Sequence, residues 1–310
     1  MRRTHLIPLF MTLPLIAGVL LPTVPALATY PGTNGKIAFA APGDSDNPQI
    51  FTVNPDGSGE TQLTSDADGH ATNPDWSPDG STIVFQGDQT GEWQLYVMNA
   101  DGSGRHQLTF EPGFDHLAPR FAPDGAKITF AGCPQQMTCA IYVMNANGTN
   151  ETQLTSLTWN AGNPEFSPDG TKIAFDSNQD GYLSAIWLMN ADGSNQHRLT
   201  APSLEADFPD WSPDGTHILL NDLCCLFGTN VWVMNPDGTG LRQLTHFPTK
   251  HQGGFATYSP DGKQIVLISD LKYRDGCCND LYTMDTNGTH LTRIVADQPA
   301  VLLSDWGTSP

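Results

Sequence analysis

Two short turns, each written five or six times, with short β-type runs between them, predict an all-β chain: a six-bladed propeller of four-stranded antiparallel blades. The first turn, Asn-x-Asp-Gly or a close variant, begins at Asn54, Asn99, Asn145, Asn190, Asn235 and Asp285. That is a period of about 45 residues, the length of one propeller blade. The second turn, Ser-Pro-Asp-Gly, begins at Ser77, Ser167, Ser212 and Ser259, with Ala122 heading a variant. Composition agrees: only 15% of residues are charged, and 30 glycines with 24 prolines favour tight turns over long helices.

Each turn has glycine in fourth place, the preference of a type I turn extended by a left-handed residue, so each bends a hairpin. After Ser-Pro-Asp-Gly come runs such as Thr82-Ile-Val-Phe85 and Lys172-Ile-Ala-Phe175. Before Asn-x-Asp-Gly come Leu95-Tyr-Val-Met98 and Ile141-Tyr-Val-Met144, and after it Gln62-Leu-Thr64 and its equivalents. β-branched and aromatic residues bounded by turn signals are what strands need. A fourth strand leads into each Ser-Pro-Asp-Gly, as in Asn73-Pro-Asp-Trp-Ser77. Trp76, Trp211 and Trp306, with Phe121, Phe166 and Tyr258 in register, are expected to pack between blades.

The two ends of the chain read as parts of one blade. Asn34-Gly-Lys-Ile-Ala-Phe39 echoes the run after a Ser-Pro-Asp-Gly turn, and Ser304-Asp-Trp-Gly-Thr308 echoes the strand leading into one. Pairing the N- and C-terminal strands closes the ring and removes two open sheet edges.

Residues 1–28 read as a signal peptide. Arg2 and Arg3 precede an uncharged run from Leu6 to Val24, and Ala26-Leu27-Ala28 offers a small-x-small cleavage site. An uncleaved anchor is the other reading, against which Pro8, Pro14 and Pro22 argue. Residues 29–310 are then one propeller domain, exported to the periplasm or secreted, without a membrane span after cleavage and monomeric. With 33 acidic against 14 basic residues the formal charge is −19, which repels phosphate backbones and excludes generic nucleic-acid binding.

Six cysteines in an exported chain point to disulfides. Cys133 and Cys139 are close enough to staple one loop. Cys224-Cys225 and Cys277-Cys278 fall in equivalent loops, where cross-links between loops compete with vicinal bridges and with a zinc site.

Trp-Ser-Pro-Asp-Gly, Ile-Ala-Phe and Tyr-Val-Met-Asn-Ala-Asp-Gly-Ser resemble the WD40-like repeat of the TolB propeller family over residues 30–308. The resemblance implies the fold, export and protein binding through loops and the central channel, and it implies no catalytic residue. The family's namesake has a further N-terminal α/β domain without a counterpart here, so its role in the Tol–Pal envelope system is not carried over. The strand geometry of the family also implies that the innermost strands line the channel. Register then puts His70, Asp115, Asn160, Glu205, Gln252 and Ala300 at one repeat position, with His116, Asp207 and His251 beside it.

Those residues are the candidate binding site at the channel mouth. Polar types vary there on a repeated frame, as a site for an unlike partner would require, although a hydrated rim free to drift would look the same. His70, His116, His251, Asp115, Glu205 and Asp207 could hold a divalent metal if they converge. Asp176-Ser-Asn-Gln-Asp-Gly181 matches the first half of a calcium loop through Asp176, Asn178 and Asp180, but Trp187 stands where an EF-hand needs its bidentate Glu. An ordinary hairpin turn accounts for the same residues. There is no Gly-x-Ser-x-Gly, His-Glu-x-x-His, Gly-x-x-x-x-Gly-Lys or Gly-x-Gly-x-x-Gly. The expected function is a non-catalytic scaffold that binds a protein partner at the channel mouth, with calcium as the cofactor to test. The alternatives are a metal-assisted lyase or hydrolase acting on an extracellular polymer, and a purely structural module.

Overall fold

The computed structural model describes residues 32–309 except 66, 68, 136–137, 182, 202, 223–228, 249–250, 274–278 and 297–300. The signal peptide, Cys224, Cys225, Cys277, Cys278 and Ala300 lie outside the described residues. Six four-stranded antiparallel sheets follow one another, with no α-helix among the described residues. The first blade takes β1 (Asn34–Pro42), β2 (Pro48–Val53) and β3 (Thr61–Gln62). The second is β4 (Ala71–Trp76), β5 (Thr82–Gly87), β6 (Gln94–Asn99) and β7 (His106–Gln107). The third is β8 (Phe114–Phe121), β9 (Lys127–Pro134), β10 (Ala140–Asn145) and β11 (Thr152–Gln153). The fourth is β12 (Ala161–Phe166), β13 (Lys172–Ser177), β14 (Ala185–Asn190) and β15 (His197–Arg198). The fifth is β16 (Ala206–Trp211), β17 (Ile218–Asp222), β18 (Val231–Met234) and β19 (Arg242–Gln243). The sixth is β20 (Gly253–Tyr258), β21 (Gln264–Ser269), β22 (Asp280–Asp285) and β23 (Thr292–Val295).

The last strand, β24 (Leu302–Thr308), returns to the first blade and pairs with β1, so the sheet order there is β24-β1-β2-β3. Around the ring, β24, β4, β8, β12, β16 and β20 each contact the next, and β20 contacts β24. These six are the inner strands, and the ring is closed.

The repeated residues explain the repeated packing. Trp76, Phe121, Phe166, Trp211, Tyr258 and Trp306 stand opposite Ile83, Ile128, Ile173, Ile218, Ile265 and Ile37 across the first strand pair of each blade. All six isoleucines are fully buried, in clusters shared between neighbouring blades. Thr64, Thr109, Thr155, Thr200 and Thr245 accept the backbone N–H at the start of the adjacent strand through Oγ1, which fixes the outer edge of five blades. In the Asn-x-Asp-Gly turns, Asp56, Asp101, Asp192 and Asp237 accept both the hydroxyl and the N–H of the residue two places on. Those bonds, the hydroxyl first, hold the four carboxyls below the ordinary carboxylate range. Cys133 and Cys139 are joined by a disulfide across the β9–β10 loop.

At the closure seam, a Cβ on Gly307 would stand 2.5 Å from the Trp76 ring. Only glycine lets the final strand lie this close to the second blade.

Candidate functional site

Every inner strand from β4 to β20 is interrupted by a β-bulge, and the kink falls at one repeat position. Asn73, Ala118, Asn163, Phe208 and Phe255 have φ between 45° and 53°. This conformation is costly for non-glycine residues, on the order of 1–3 kcal/mol each. Two residues later in each strand comes a second shared position, occupied by Asp75, Arg120, Glu165, Asp210 and Thr257, with Asp305 completing the series in β24.

Asp75, Glu165, Asp210 and Asp305 line one axial cavity of about 30 Å³, rimmed by Trp76, Phe121, Phe166, Trp211 and Tyr258 and by the prolines of the turns. Arg120 and Thr257 line a second of about 20 Å³ together with Phe208 and Phe255, whose rings meet edge to face at 4.3 Å. Each space has room for about one or two waters. The axis is therefore filled at this level.

The carboxylates also stitch blade to blade. Asp75 Oδ2 accepts Phe121 N–H at 2.7 Å, Asp210 Oδ2 accepts Tyr258 N–H at 2.9 Å, and Asp305 Oδ2 accepts Trp76 N–H at 2.9 Å. Arg120 Nε lies 3.0 Å from Glu165 Oε2 and 3.7 Å from Asp75 Oδ1. Burial pushes the carboxyls of Asp75, Glu165 and Asp305 up and that of Asp210 up to about 8. Burial also opposes the charge on Arg120, but the carboxylates of Asp75 and Glu165 outweigh it and hold the guanidinium protonated. This belt was not singled out from the sequence. Its signal was the Asp of Pro74-Asp-Trp76, Pro209-Asp-Trp211 and Ser304-Asp-Trp306, while Arg120 and Glu165 break that pattern and become visible only by register.

The predicted mouth residues stand at the heads of the inner strands, and several are tied locally. His70 Nδ1 lies 2.5 Å from Asp88 Oδ2. Asp115 Oδ1 accepts Trp93 N–H at 3.0 Å, and Asn160 Oδ1 accepts Cys139 N–H at 3.0 Å, both from the preceding blade. Gln252 N–H donates to Asp270 Oδ1 at 2.7 Å, and His251 Nδ1 is 3.3 Å from the same oxygen. His116 is fully buried between the rings of Phe114 and Phe130. Thus His70, His116 and His251 do not meet.

Glu205 and Asp207 do form part of a cluster. Burial first, then the charges of Asp176, Glu205 and Asp222, push Asp207 up to about 8. Burial pushes Asp176 up to about 6 against a 2.7 Å hydrogen bond from Asn163 Nδ2. The calcium-loop residues each have a partner of their own: Asp176 is held by Asn163, Asn178 Oδ1 accepts Asn160 N–H, and Asp180 pairs with Arg198 at 3.5 Å.

The raised carboxyl of Asp207 has a measurable consequence. A native carboxyl with a raised pKa keeps its proton while the unfolded one loses it near pH 4, so stability falls as pH rises from about 4 to about 8 and then levels. Asp207→Asn is expected to flatten that slope and to stabilise the protein at pH 8 by about 2 kcal/mol, read from urea unfolding at pH 5 and pH 8. Equal slopes in both proteins would show that Asp207 is ionised in the native state. The turn aspartates act in the opposite sense, with stability lost as pH falls through their lowered values.

The two ends of the ring differ. One carries the repeated tight turns. The other carries the connections into the inner strands and those between the second and third strands of each blade, which run from the short link Pro42–Pro48 to the long one Ser269–Asp280. Among the described residues, three of the four exposed large hydrophobic side chains lie on this loop face: Phe110 at 70% exposure, Trp159 at 44% and Leu183 at 46%. They sit at the third and fourth blades.

Comparison with known proteins places this geometry. The family model for the TolB beta propeller domain matches residues 25–117 and 112–307. A comparison with curated proteins by sequence finds no match. Among solved structures, TolB from Acinetobacter baumannii is 22% identical with a TM-score of 0.76, over 91% of this chain and 69% of that one. A chain of a nidogen/laminin complex is 13% identical with a TM-score of 0.64, over 88% of this chain and 99% of that one. An oligogalacturonate lyase in complex with manganese is 15% identical with a TM-score of 0.55, over 84% of this chain and 74% of that one. At these identities the three structures share the fold.

Proposed function

The chain belongs to the TolB beta propeller domain family, and on that footing we propose that it is an exported, non-catalytic scaffold that binds a partner protein with its loop face. The observation that carries this is the arc of Phe110, Trp159 and Leu183, exposed on the face where the blades cease to be alike. Exposed apolar side chains gathered in one region mark interaction sites, and aromatic anchors carry most of the energy at protein interfaces. Asp115 and Glu205 stand at the heads of the third and fifth inner strands, and the chain is strongly acidic. The occupant that fits is a protein segment with apolar anchors flanked by lysine or arginine. The water-sized cavities of the axis favour docking on the rim over threading through the channel.

No membrane-spanning helix is present among the described residues, and residues 1–28 support export through their signal-like pattern. The metal-assisted lyase or hydrolase needs channel histidines within reach of one ion. His70 and His251 instead face Asp88 and Asp270 of their own blades, which favours the binding reading.

Residues 29–310 used as bait are expected to retain a partner at moderate salt and to lose it progressively as ionic strength rises. Phe110→Ser/Trp159→Ser should weaken capture about tenfold or more with the melting temperature unchanged, since both side chains are exposed. Equal capture by this variant would remove the loop face from the binding surface.

A further inference from the structure

We propose that Glu111, His116 and Glu151 form a binding site for a divalent transition metal, zinc in preference to manganese or calcium. Three features converge. One donor atom from each residue lies within 4.8 Å of the others. His116 is wholly buried, yet neither of its ring nitrogens has a hydrogen-bond partner. Its Nε2 points at Glu151 Oε2 from 3.5 Å.

That distance is informative. It is too long for an effective hydrogen bond. Two ligand atoms about 2.1 Å from a tetrahedral zinc stand about 3.4 Å apart, so the pair is spaced as an edge of a zinc coordination shell. A buried imidazole with unsatisfied nitrogens carries a desolvation cost that a metal bond would offset. Two carboxylates drawn together beside it repel unless a cation lies between them.

The packing makes the imidazole a rigid ligand. Phe114 and Phe130 flank it with ring centres at 4.8 and 5.2 Å, and Tyr142 stacks on Phe130 at 5.6 Å. Glu111 comes from the connection between β7 and β8, and Glu151 from the turn between β10 and β11, so a bound ion ties that connection to the third blade. Both glutamates are exposed, which leaves further coordination positions to water. One nitrogen and two carboxylate donors suit zinc, which outranks manganese at such sites. Calcium takes six to eight oxygen ligands and has no use for the imidazole.

The test uses metal-stripped residues 29–310, titrated calorimetrically with zinc, manganese and calcium chloride, with thermal melts in parallel. One equivalent of zinc should bind and raise the melting temperature. Glu111→Gln/Glu151→Gln should leave the metal-free melt unchanged and weaken zinc binding about a hundredfold or more. His116→Phe, whose ring suits its aromatic neighbours, should do the same to zinc binding. Cobalt(II) should give the visible absorption of a four-coordinate site in the parent protein and lose it in both variants. Absence of saturable zinc binding, zinc binding unaffected by the two glutamate substitutions, or calcium binding as tightly as zinc would each overturn the assignment.

Discussion

A chain ending at Gln298 is expected to lose its cooperative unfolding transition and to aggregate. The twelve residues beyond that point include the whole of β24, which supplies the inner strand of the first blade. Trp306, fully buried, stands opposite Ile37 in a core shared with Val266, Ile268 and Leu281 of the sixth blade. Asp305 holds Trp76 N–H, and Thr308 Oγ1 donates to Pro78 O at 2.8 Å, so the same strand also fastens the second blade. Its loss opens a β1 edge whose backbone groups have no other partner and uncovers apolar surface on two neighbours, a template for association between chains. Differential scanning calorimetry and size-exclusion chromatography would show it. An unchanged melting curve in the truncated protein would mean that five complete blades and a three-stranded sixth are stable without closure.

Replacement of Arg120 by Met is the second change with a large expected effect. It removes the positive charge among Asp75, Glu165, Asp210 and Asp305 while keeping most of the apolar stem. Removing one partner of a buried ion pair leaves uncompensated charge and costs about 3–5 kcal/mol. The loss should be greater at pH 8, where Asp210, pushed up to about 8 by burial, gives up its proton, than at pH 5, where it stays neutral. Combining Arg120→Met with Asp210→Asn should recover part of the stability at pH 8. Urea unfolding of the three proteins at both pH values reads the pattern. A loss that does not depend on pH would show that Arg120 contributes packing alone.

The distance between what could be read and what could not is clearest along one inner strand. In Asn73-Pro-Asp-Trp-Ser77, the aromatic residue, the turn that follows and the strand between them are all legible, because turn chemistry and strand propensity act over a few residues. The function of Asp75 is not. It depends on a bulge at Asn73, on Phe121 of the next blade, and on Arg120, a residue 45 positions later. His70, Asp115, Asn160 and Gln252 show the converse. Register groups them as strand heads, but register does not say where a side chain turns, and local partners such as Asp88, Trp93 and Asp270 take up His70, Asp115 and Gln252.

The sequence alone determined the number of blades, the four strands in each, the two turn types and the sharing of the first blade between the chain's two ends. Each of these rests on patterns contained within one repeat or on the echo of one repeat by another. Only the tertiary structure decided that an acidic belt with a single arginine fills the axis, that the three histidines near the mouth do not meet, and that His116 instead faces Glu111 and Glu151. Such sites are made by residues from different strands and blades, and their chemistry depends on burial and on distances between side chains that no single repeat contains.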